Sequence, residues 1–364
     1  MRKIGIITLY DPDNYGNRLQ AYALSKTLQK LGCETAEVYH CTDRISRVKG
    51  FIKTNRLPRR VYELFLCIAV RDKGGIRNYR RVGLSFDFMK KARMKSIPSN
   101  DPSIDYFVCG SDQVWNPLCG GTPFYFASFA PDEKRISYAA SFGVGALPDQ
   151  VKEVYRSSLK DMAHISVREH AGAKLVRELV DRDAPVVLDP TLLLKRDEWQ
   201  VMAKKPKFPV KERYVLTYFL GWHGEAEDRY IWKIAQEHDL QIIALNNMHK
   251  NSQWFGTGPA EFLWLIEHAS VVCTNSFHAT VFSIIMNTPF INFKRDSGKA
   301  DDMNSRIDTL LGTLKLSERV YGKVHEQCLW DVDFSHVADI LKKEKDHSVS
   351  YLKKALQLDA ETFA

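Results

Sequence analysis

The feature that most constrains this sequence is the alternation of buried strands with amphipathic helices that begins at its first residues. Residues 4–8 are typical of a buried strand, a polar loop occupies 11–17, and 19–31 carry apolar residues at helical spacing before Gly32. A second strand, at 35–39, follows at once. Strand, crossover helix and strand predict a parallel, doubly wound sheet, with the first loop at the edge where ligands bind.

The same alternation recurs along the chain and then restarts after a Lys- and Pro-rich stretch. In the first series we predict strands at 106–109, 135–140, 164–168 and 186–188, and helices at 150–162 and 173–179. In the second series we predict strands at 214–220, 241–245 and 271–273, and helices at 226–237, 259–268 and 278–286.

Two series of this kind predict an α/β fold with two Rossmann-like domains. The 364 residues exceed the roughly 250 to 300 at which a single core stops growing. We place the N-terminal domain at 1–190 and the C-terminal domain at 191–336, with the boundary in the stretch up to 212. Residues 337–364 form a lysine-bearing amphipathic helix that we expect to pack back across the first domain.

The composition is that of a globular enzyme in a reducing compartment. Hydrophobic residues make up 45% of the chain and charged residues 26%, which excludes a disordered or fibrous protein. The seven cysteines are an odd number without a Cys-x-x-Cys pair, so we predict reduced thiols and no metal site. The chain shows neither a signal-peptide pattern nor an apolar run of the roughly 20 residues that span a bilayer. We therefore expect a cytoplasmic protein.

Residues 44–95 make the protein basic. They contain sixteen Lys and Arg residues against three acidic ones, a net charge of +13, whereas the whole chain carries +8. Such a segment is typical of a nucleic-acid footprint, a surface for anionic lipid headgroups, or solvated helix faces. Its cations flank apolar residues such as Leu64, Phe65, Phe86 and Phe88. This pattern favours a basic helical insert of the N-terminal domain that lies as an amphipathic element on the inner face of the plasma membrane. A solvated face stays open as the alternative, and we do not expect nucleic acid as a partner.

The most informative stretch is 271–280, in which a buried strand runs into Thr274, Asn275 and Ser276 and then into a helix that carries His278. Thr, Asn and Ser are good N-cap residues, and a helix start offers free N–H groups to a phosphate or carboxylate. His278 in the first turn is placed to give a proton to a bound anion. Local packing of this histidine is the alternative. A serine hydrolase is not expected because no Gly-x-Ser-x-Gly motif is present.

Two further loops follow predicted strands. Gly16 and Asn17 lie in the first loop, where they could let the backbone approach a ligand, and both are candidate acceptor-binding residues. The loop is not a dinucleotide fingerprint, and a bare turn with Asn17 as the helix N-cap is the alternative. The loop 110–117 combines polar groups with an indole, a combination typical of sugar binding because the ring covers an apolar sugar face. A structural turn is the alternative there. The candidate acceptor-binding residues of the second loop are Ser111, Asp112, Gln113, Trp115 and Asn116.

Arg168 ends another predicted strand. A guanidinium at this edge can bind a carboxylate or phosphate through two parallel hydrogen bonds. Pairing with Glu169 or with a structural carboxylate is an equal alternative. Asp112, Glu169 and Asp189 do not have the spacing of a metal site, and we predict no metal.

Six motifs stand in a fixed order along residues 1–310. They are Asn14-Tyr15-Gly16-Asn17 with Leu19-Gln20-Ala21-Tyr22-Ala23-Leu24, Gly110-Ser111-Asp112-Gln113-Val114-Trp115-Asn116, Ser137-Tyr138-Ala139-Ala140-Ser141-Phe142-Gly143, Ser166-Val167-Arg168, Leu188-Asp189-Pro190-Thr191 and Thr274-Asn275-Ser276-Phe277-His278. Together they resemble the motifs of the polysaccharide pyruvyltransferases. The resemblance implies the two-domain glycosyltransferase B architecture, with the acceptor on the N-terminal side and the donor on the C-terminal side.

The resemblance also implies chemistry. Phosphoenolpyruvate would be the donor substrate and no separate cofactor would be needed. His278 would be the general acid, and Arg168, Asn275 and Ser276 would bind the donor. Many members carry Arg-Leu-His where this chain has Ser276-Phe277-His278, so a cationic contact is missing, and we expect Lys294 or Arg295 to supply it.

The implied product is a pyruvate ketal on hydroxyls of a cell-surface glycan, such as an exopolysaccharide, or of a lipid-linked oligosaccharide. Two alternatives share the fold: a nucleotide-sugar-dependent glycosyltransferase and a non-catalytic glycan-binding relative. The fold does not separate the three, because one architecture hosts many functions.

Overall fold

The N-terminal half of the protein is built on a five-stranded parallel sheet. The structure, a computed structural model, describes residues 1–11, 14–40, 73–118, 120–221, 223–245, 253–295 and 304–358. The sheet has the strand order β3-β2-β1-β4-β5 and every pairing is parallel. Its strands are β1 (Lys3–Ile7), β2 (Glu34–Tyr39), β3 (Lys95–Pro98), β4 (Tyr106–Cys109) and β5 (Arg135–Ser137).

The C-terminal half is built on a second parallel sheet, of order β7-β6-β8-β9. Its inner strands are almost wholly apolar, as expected for strands covered by helices on both faces. The strands are β6 (Tyr214–Tyr218), β7 (Gln241–Ala244), β8 (Val271–Thr274) and β9 (Phe290–Asn292). Two parallel-sheet domains of this kind confirm the predicted α/β fold.

Helices connect and cover the strands. Those described are α1 (Tyr15–Lys30), α2 (Lys73–Met89), α3 (Asp149–Lys160), α4 (His170–Val180), α5 (Arg196–Met202), α6 (Glu225–Glu237), α7 (Pro259–Glu267), α8 (Phe277–Met286), α9 (Ser305–Thr313) and α10 (Val337–Ala355). The strands predicted at 164–168 and 186–188 are wrong as regular strands. They are single parallel bridges, in which Val167 joins Ala140 to Val186 at the end of the first sheet.

The two halves share a hydrophobic core. Tyr15 on α1 stacks on Phe262 on α7, with ring centroids 4.6 Å apart. The tail helix α10 returns to the first sheet, where Leu352 is buried with Ile4, and the Tyr351 hydroxyl donates to the carbonyl of Ser137 at 2.8 Å. The N-terminal sheet is therefore covered on this side by the last helix of the chain.

The basic segment 44–95 is described in part: residues 41–72, including Leu64 and Phe65, lie outside the described ranges. Phe86 and Phe88 on α2 are buried, so the expectation that they face a membrane is wrong. Arg81, also buried, lies 4.1 Å from the centroid of the Tyr15 ring. The described part of α2 thus packs into the protein, and Lys90, Lys91, Arg93 and Lys95, which follow its end, are exposed. No helix in the described part of the chain is long and apolar enough to cross a membrane.

Candidate active site

The ligand-binding edges of the two sheets face each other across a cavity of about 360 Å³. In each sheet the strand order reverses between two neighbouring strands, β1 and β4 in the first and β6 and β8 in the second. Loops at such a switch point leave a crevice beyond the carboxyl ends of the strands. The cavity is lined by Leu9, Tyr10, Asp11, Asn14, Asn17, Asp112, Gln113, Tyr125, Leu220, Ser276, Phe277, His278, Arg295 and Arg306.

The C-terminal wall is the start of α8. Ser276 is its N-cap and accepts a hydrogen bond from the Ala279 N–H at 3.4 Å, as the run of capping residues predicted. Asn275 does not line the cavity. Its Oδ1 accepts from the Leu220 N–H at 2.7 Å, so it joins the loops after β6 and β8. A contact of Asn275 with the donor stays a prediction.

His278 lies between the two domains. Its Nε2 is 3.6 Å from Oδ2 of Asp189, which belongs to the N-terminal half. On the other side of the ring is Gly16, where a Cβ would come within 2.1 Å of the His278 Nδ1. The ring is buried but borders the cavity, so its setting suits a proton donor to a bound ligand.

Gly16 and Asn17 have other roles than the loop contacts predicted for them. Helix α1 begins at Tyr15 rather than near residue 19, and its N-cap is Asn14, which accepts from the Gly16 and Asn17 N–H groups. Gly16 gives room to the His278 ring and is absent from the cavity wall. Asn17 lines the cavity and donates from Nδ2 to the Asp112 carboxylate.

Arg168 is buried and paired within the protein. Its guanidinium donates to Oδ2 of Asp189 at 2.7 Å and to Oδ1 of Asp112 at 3.2 Å, and it lies 4.3 Å from the centroid of the Phe277 ring. It does not line the cavity. Its partners are the structural carboxylates that were the alternative, and a donor contact of Arg168 stays a prediction.

The carboxylates of this network stay ionised. Burial alone would raise the pKa of Asp189, but His278, Arg168 and the hydrogen bonds from Thr191 outweigh burial and hold that pKa far below its usual range. For Asp112 too, burial is outweighed, here by Arg168, His278 and Arg306, and its pKa is lowered. Burial raises the pKa of Glu169, which accepts from Ser141 Oγ at 2.9 Å rather than pairing with Arg168.

The loop after β4 divides between the cavity and the core. Asp112 and Gln113 line the cavity. Ser111 and Asn116 are buried behind them, with Asn116 Nδ2 donating to Gln113 Oε1 at 2.7 Å. Trp115 is fully buried and stacks on Phe126 at 5.1 Å between centroids. The side chains of Ser111, Trp115 and Asn116 thus lie behind the cavity wall, and an acceptor contact by these three residues stays a prediction.

The cations of the cavity are Arg295 and Arg306. Lys294 is exposed and does not line the cavity. Of the two residues expected to supply the cationic contact, Arg295 is the one at the cavity wall. Burial lowers the pKa of Arg306 to about 9, with added repulsion from Arg168 and Arg295. Burial also lowers the pKa of Arg295. Arginine stays protonated at neutral pH, so both guanidiniums can bind an anion in the cavity.

Sequence reasoning missed Arg306, Tyr10 and Tyr125. Arg306 lies on α9, a helix that the pattern of apolar residues did not reveal. Tyr10 lies shortly after β1, in the loop at the ligand-binding edge of the sheet, and this position was the signal that the sequence offered for a site residue. Among the described residues, no group of three His, Cys, Asp or Glu side chains could hold a metal ion.

Two Rossmann-like domains that enclose an imidazole, two guanidiniums and polar side chains define a two-domain α/β protein with a candidate ligand site in the interdomain cleft. The model of the polysaccharide pyruvyl transferase family matches residues 14–297, most of the chain. The protein therefore belongs to the polysaccharide pyruvyl transferase family. Membership implies a transferase with a glycan acceptor.

Solved structures with a similar fold are distant in sequence. The S. aureus MnaA–UDP co-structure is 13% identical, with a TM-score of 0.48, and covers 99% of this chain and 98% of its own. UDP-GlcNAc 2-epimerase from Neisseria meningitidis is 8% identical, with a TM-score of 0.47, and the match covers 97% of this chain and 100% of the epimerase chain. The glycosyltransferase SnogD from Streptomyces nogalater is 11% identical, with a TM-score of 0.35, and covers 98% of each chain. No curated protein matched the sequence.

Proposed function

We propose that this protein transfers a pyruvyl group from phosphoenolpyruvate to two hydroxyls of a cell-surface glycan or lipid-linked oligosaccharide, with closure of a pyruvate ketal. The observation that carries the proposal is the meeting of His278, Arg295 and Arg306 in one interdomain cavity. Phosphoenolpyruvate has a carboxylate and a phosphate next to a carbon that must be protonated. One imidazole and two guanidiniums are the complementary groups.

The donor's anionic groups would be held on the C-terminal side of the cavity. Arg295 and Arg306 lie in a buried setting that disfavours their own charge, and a bound carboxylate or phosphate would relieve the repulsion between them and Arg168. Ser276 and the first N–H groups of α8 add hydrogen-bond donors of the kind that bind anions at helix starts. Arg295 thereby takes the role that a cation in the Arg-Leu-His motif has in other members.

The acceptor would lie on the N-terminal side. Tyr10, Tyr125 and Gln113 line that wall and combine aromatic surface with polar groups. This combination suits a sugar ring, whose faces are partly apolar and whose edges carry hydroxyls. The two tyrosines take the part that the sequence had suggested for Trp115.

In the proposed mechanism His278 protonates the methylene carbon of phosphoenolpyruvate, and the double-bond electrons form the new C–H bond. Positive charge develops at C2, where an acceptor hydroxyl attacks and loses its proton. The C2–O bond to phosphate then breaks, inorganic phosphate leaves, and a second hydroxyl attacks C2 and loses its proton. One donor and one diol thus give one ketal and one phosphate. Enclosure of the cavity limits attack by water.

Purified protein incubated with phosphoenolpyruvate and a panel of glycan diols tests the proposal. We expect phosphate release that depends on the acceptor, together with a pyruvylated product seen by mass spectrometry, and neither with His278→Gln. Transfer from a UDP-sugar instead would identify a glycosyltransferase of the same fold. Glycan binding without turnover of either donor would identify a glycan-binding relative. Either of these results would overturn the proposal.

A further inference from the structure

The two ring nitrogens of His278 have different surroundings. Nε2 is fully buried, has no hydrogen-bond partner, and faces Oδ2 of Asp189 at 3.6 Å. Separations of this size at catalytic pairs can tighten when a ligand binds. Nε2 is therefore enclosed on the side of Asp189.

Asp189 is a rigid partner for this nitrogen. Its Oδ2 accepts from Arg168 at 2.7 Å and from Ser111 Oγ at 3.0 Å. Its Oδ1 accepts from the N–H of Thr191 at 3.0 Å and from its hydroxyl at 2.6 Å. Each of these contacts favours the ionised carboxylate, so the negative charge facing Nε2 is fixed in place.

Nδ1 lies over the one residue of the first turn of α1 that has no side chain. A Cβ at Gly16 would stand 2.1 Å from Nδ1, 2.7 Å from Cγ and 2.9 Å from Cε1 of His278. The neighbours of Gly16, Asn14 and Asn17, both line the cavity. Any residue other than glycine at this position would collide with the His278 ring, which would have to move.

We propose that His278 gives up its proton from Nδ1, while Asp189 holds the proton on Nε2 and Gly16 leaves room for the ring. The proposal rests on the proposed function and specifies its acid. A neutral imidazole has one donor and one acceptor nitrogen, and a carboxylate facing Nε2 selects the form with the proton there. In the imidazolium both ring nitrogens carry a proton. Nδ1 passes its proton to the methylene carbon, which leaves the neutral ring with its proton on Nε2, and Nδ1 then takes a proton from the attacking hydroxyl. Asp189 and Gly16 are positioning residues, since neither touches the reacting atoms.

The tautomer can be measured without donor or acceptor. In protein labelled with [15N]histidine, the His278 signals are assigned by their loss in His278→Gln. At a pH where the ring is neutral, we expect a pyridine-like Nδ1 and a protonated Nε2. A protonated Nδ1 with a pyridine-like Nε2 would overturn the proposal. Because no substrate is present, this result is independent of whether phosphoenolpyruvate is the donor.

Activity gives the second test. Asp189→Asn removes the charge that favours the imidazolium, so we expect kcat to fall about 10- to 100-fold, with the alkaline limb of the kcat profile moved to lower pH and donor KM little changed. Gly16→Ala should lower kcat while the protein still binds phosphoenolpyruvate. An unshifted pH profile in folded Asp189→Asn, or full turnover in Gly16→Ala, would overturn the assignment. Circular dichroism checks that each variant is folded.

Discussion

At the residue scale, the arginines in and around the cavity differ in their hydrogen-bond partners. Arg168 makes ion pairs with the carboxylates of Asp112 and Asp189, and these ion pairs connect loops of the N-terminal half. Arg295 instead donates from Nε to a neutral carbonyl, that of Asn275, at 3.3 Å. Arg168 is held between carboxylates inside the protein, whereas Arg295 and Arg306 line the cavity, where a guanidinium can bind an anionic ligand.

Arg295→Lys and Arg306→Lys should therefore raise donor KM. Lysine keeps the charge but loses the planar fork that binds a carboxylate or phosphate through two hydrogen bonds, and we expect an increase of about 10- to 100-fold. Steady-state kinetics with varied phosphoenolpyruvate measures it. The exposed neighbour Lys294 is the matched control, since Lys294→Gln should leave donor KM unchanged. Equal KM values in all three variants would contradict the assignment.

Substitutions of Trp115 and Gln113 should have different effects, the first on stability and the second on acceptor binding. Trp115 stacks on Phe126 and donates from Nε1 to the carbonyl of Tyr125 at 3.1 Å, so Trp115→Ala should lower the free energy of unfolding by about 3–5 kcal/mol. Gln113→Ala, at the cavity wall, should raise acceptor KM. Urea unfolding and acceptor-dependent kinetics measure the two effects. Loss of acceptor affinity in folded Trp115→Ala with unchanged stability would return the indole to the site.

At the scale of elements, strands that are buried on both faces could be predicted from the sequence because their apolar runs are continuous. β4 agrees with the prediction at both ends, and β6 and β8 agree at their first residues. The elements that were missed lack this signal. β3 is an edge strand with the sequence Lys-Ser-Ile-Pro, and α5 lies in the Lys- and Pro-rich stretch that reads as a linker.

The same limit applies to the candidate site. His278 and Ser276 could be placed from sequence because a strand, a cap and a helix follow each other without interruption. The partners of His278, Asp189 and Gly16, come from the other domain, and no local pattern joins them. For Trp115, the residue type suggested a sugar platform, but the direction of its side chain is set by packing on Phe126, which is eleven residues away.

The end of α2 should bind an anionic membrane surface. Lys90, Lys91, Arg93 and Lys95 are exposed within six residues of each other. Basic residues near an anionic surface contribute about 1 kcal/mol each, so the four together give at most about 4 kcal/mol. Co-sedimentation with anionic vesicles should weaken as salt rises and decrease when all four become Ser. Equal binding to neutral vesicles, or none to anionic ones, would leave these residues as a solvated face.

At the scale of the whole molecule, the ion network around the cavity joins the two domains. Asp112, Arg168 and Asp189 belong to the N-terminal half, and the contact of Asp189 with His278 crosses to the other half. The pKa values of Asp112 and Asp189 are lowered in the folded protein. A lowered pKa stabilises the folded state above the unfolded value of about 3.9, and this stability is lost as pH falls toward the folded pKa.

Acid should therefore lower the free energy of unfolding by protonating the carboxylates of this network. Glu169 acts in the opposite direction, because burial raises its pKa and its proton binds more tightly in the folded state. We expect the free energy of unfolding, measured in urea at pH 7, 5, 4 and 3, to fall steeply below about pH 4. In Asp189→Asn the fall should be smaller, since one of the titrating groups is gone. Asp183→Asn, at an exposed position, is the control and should keep the wild-type slope. An unchanged pH dependence in Asp189→Asn would show that acid acts elsewhere in the molecule.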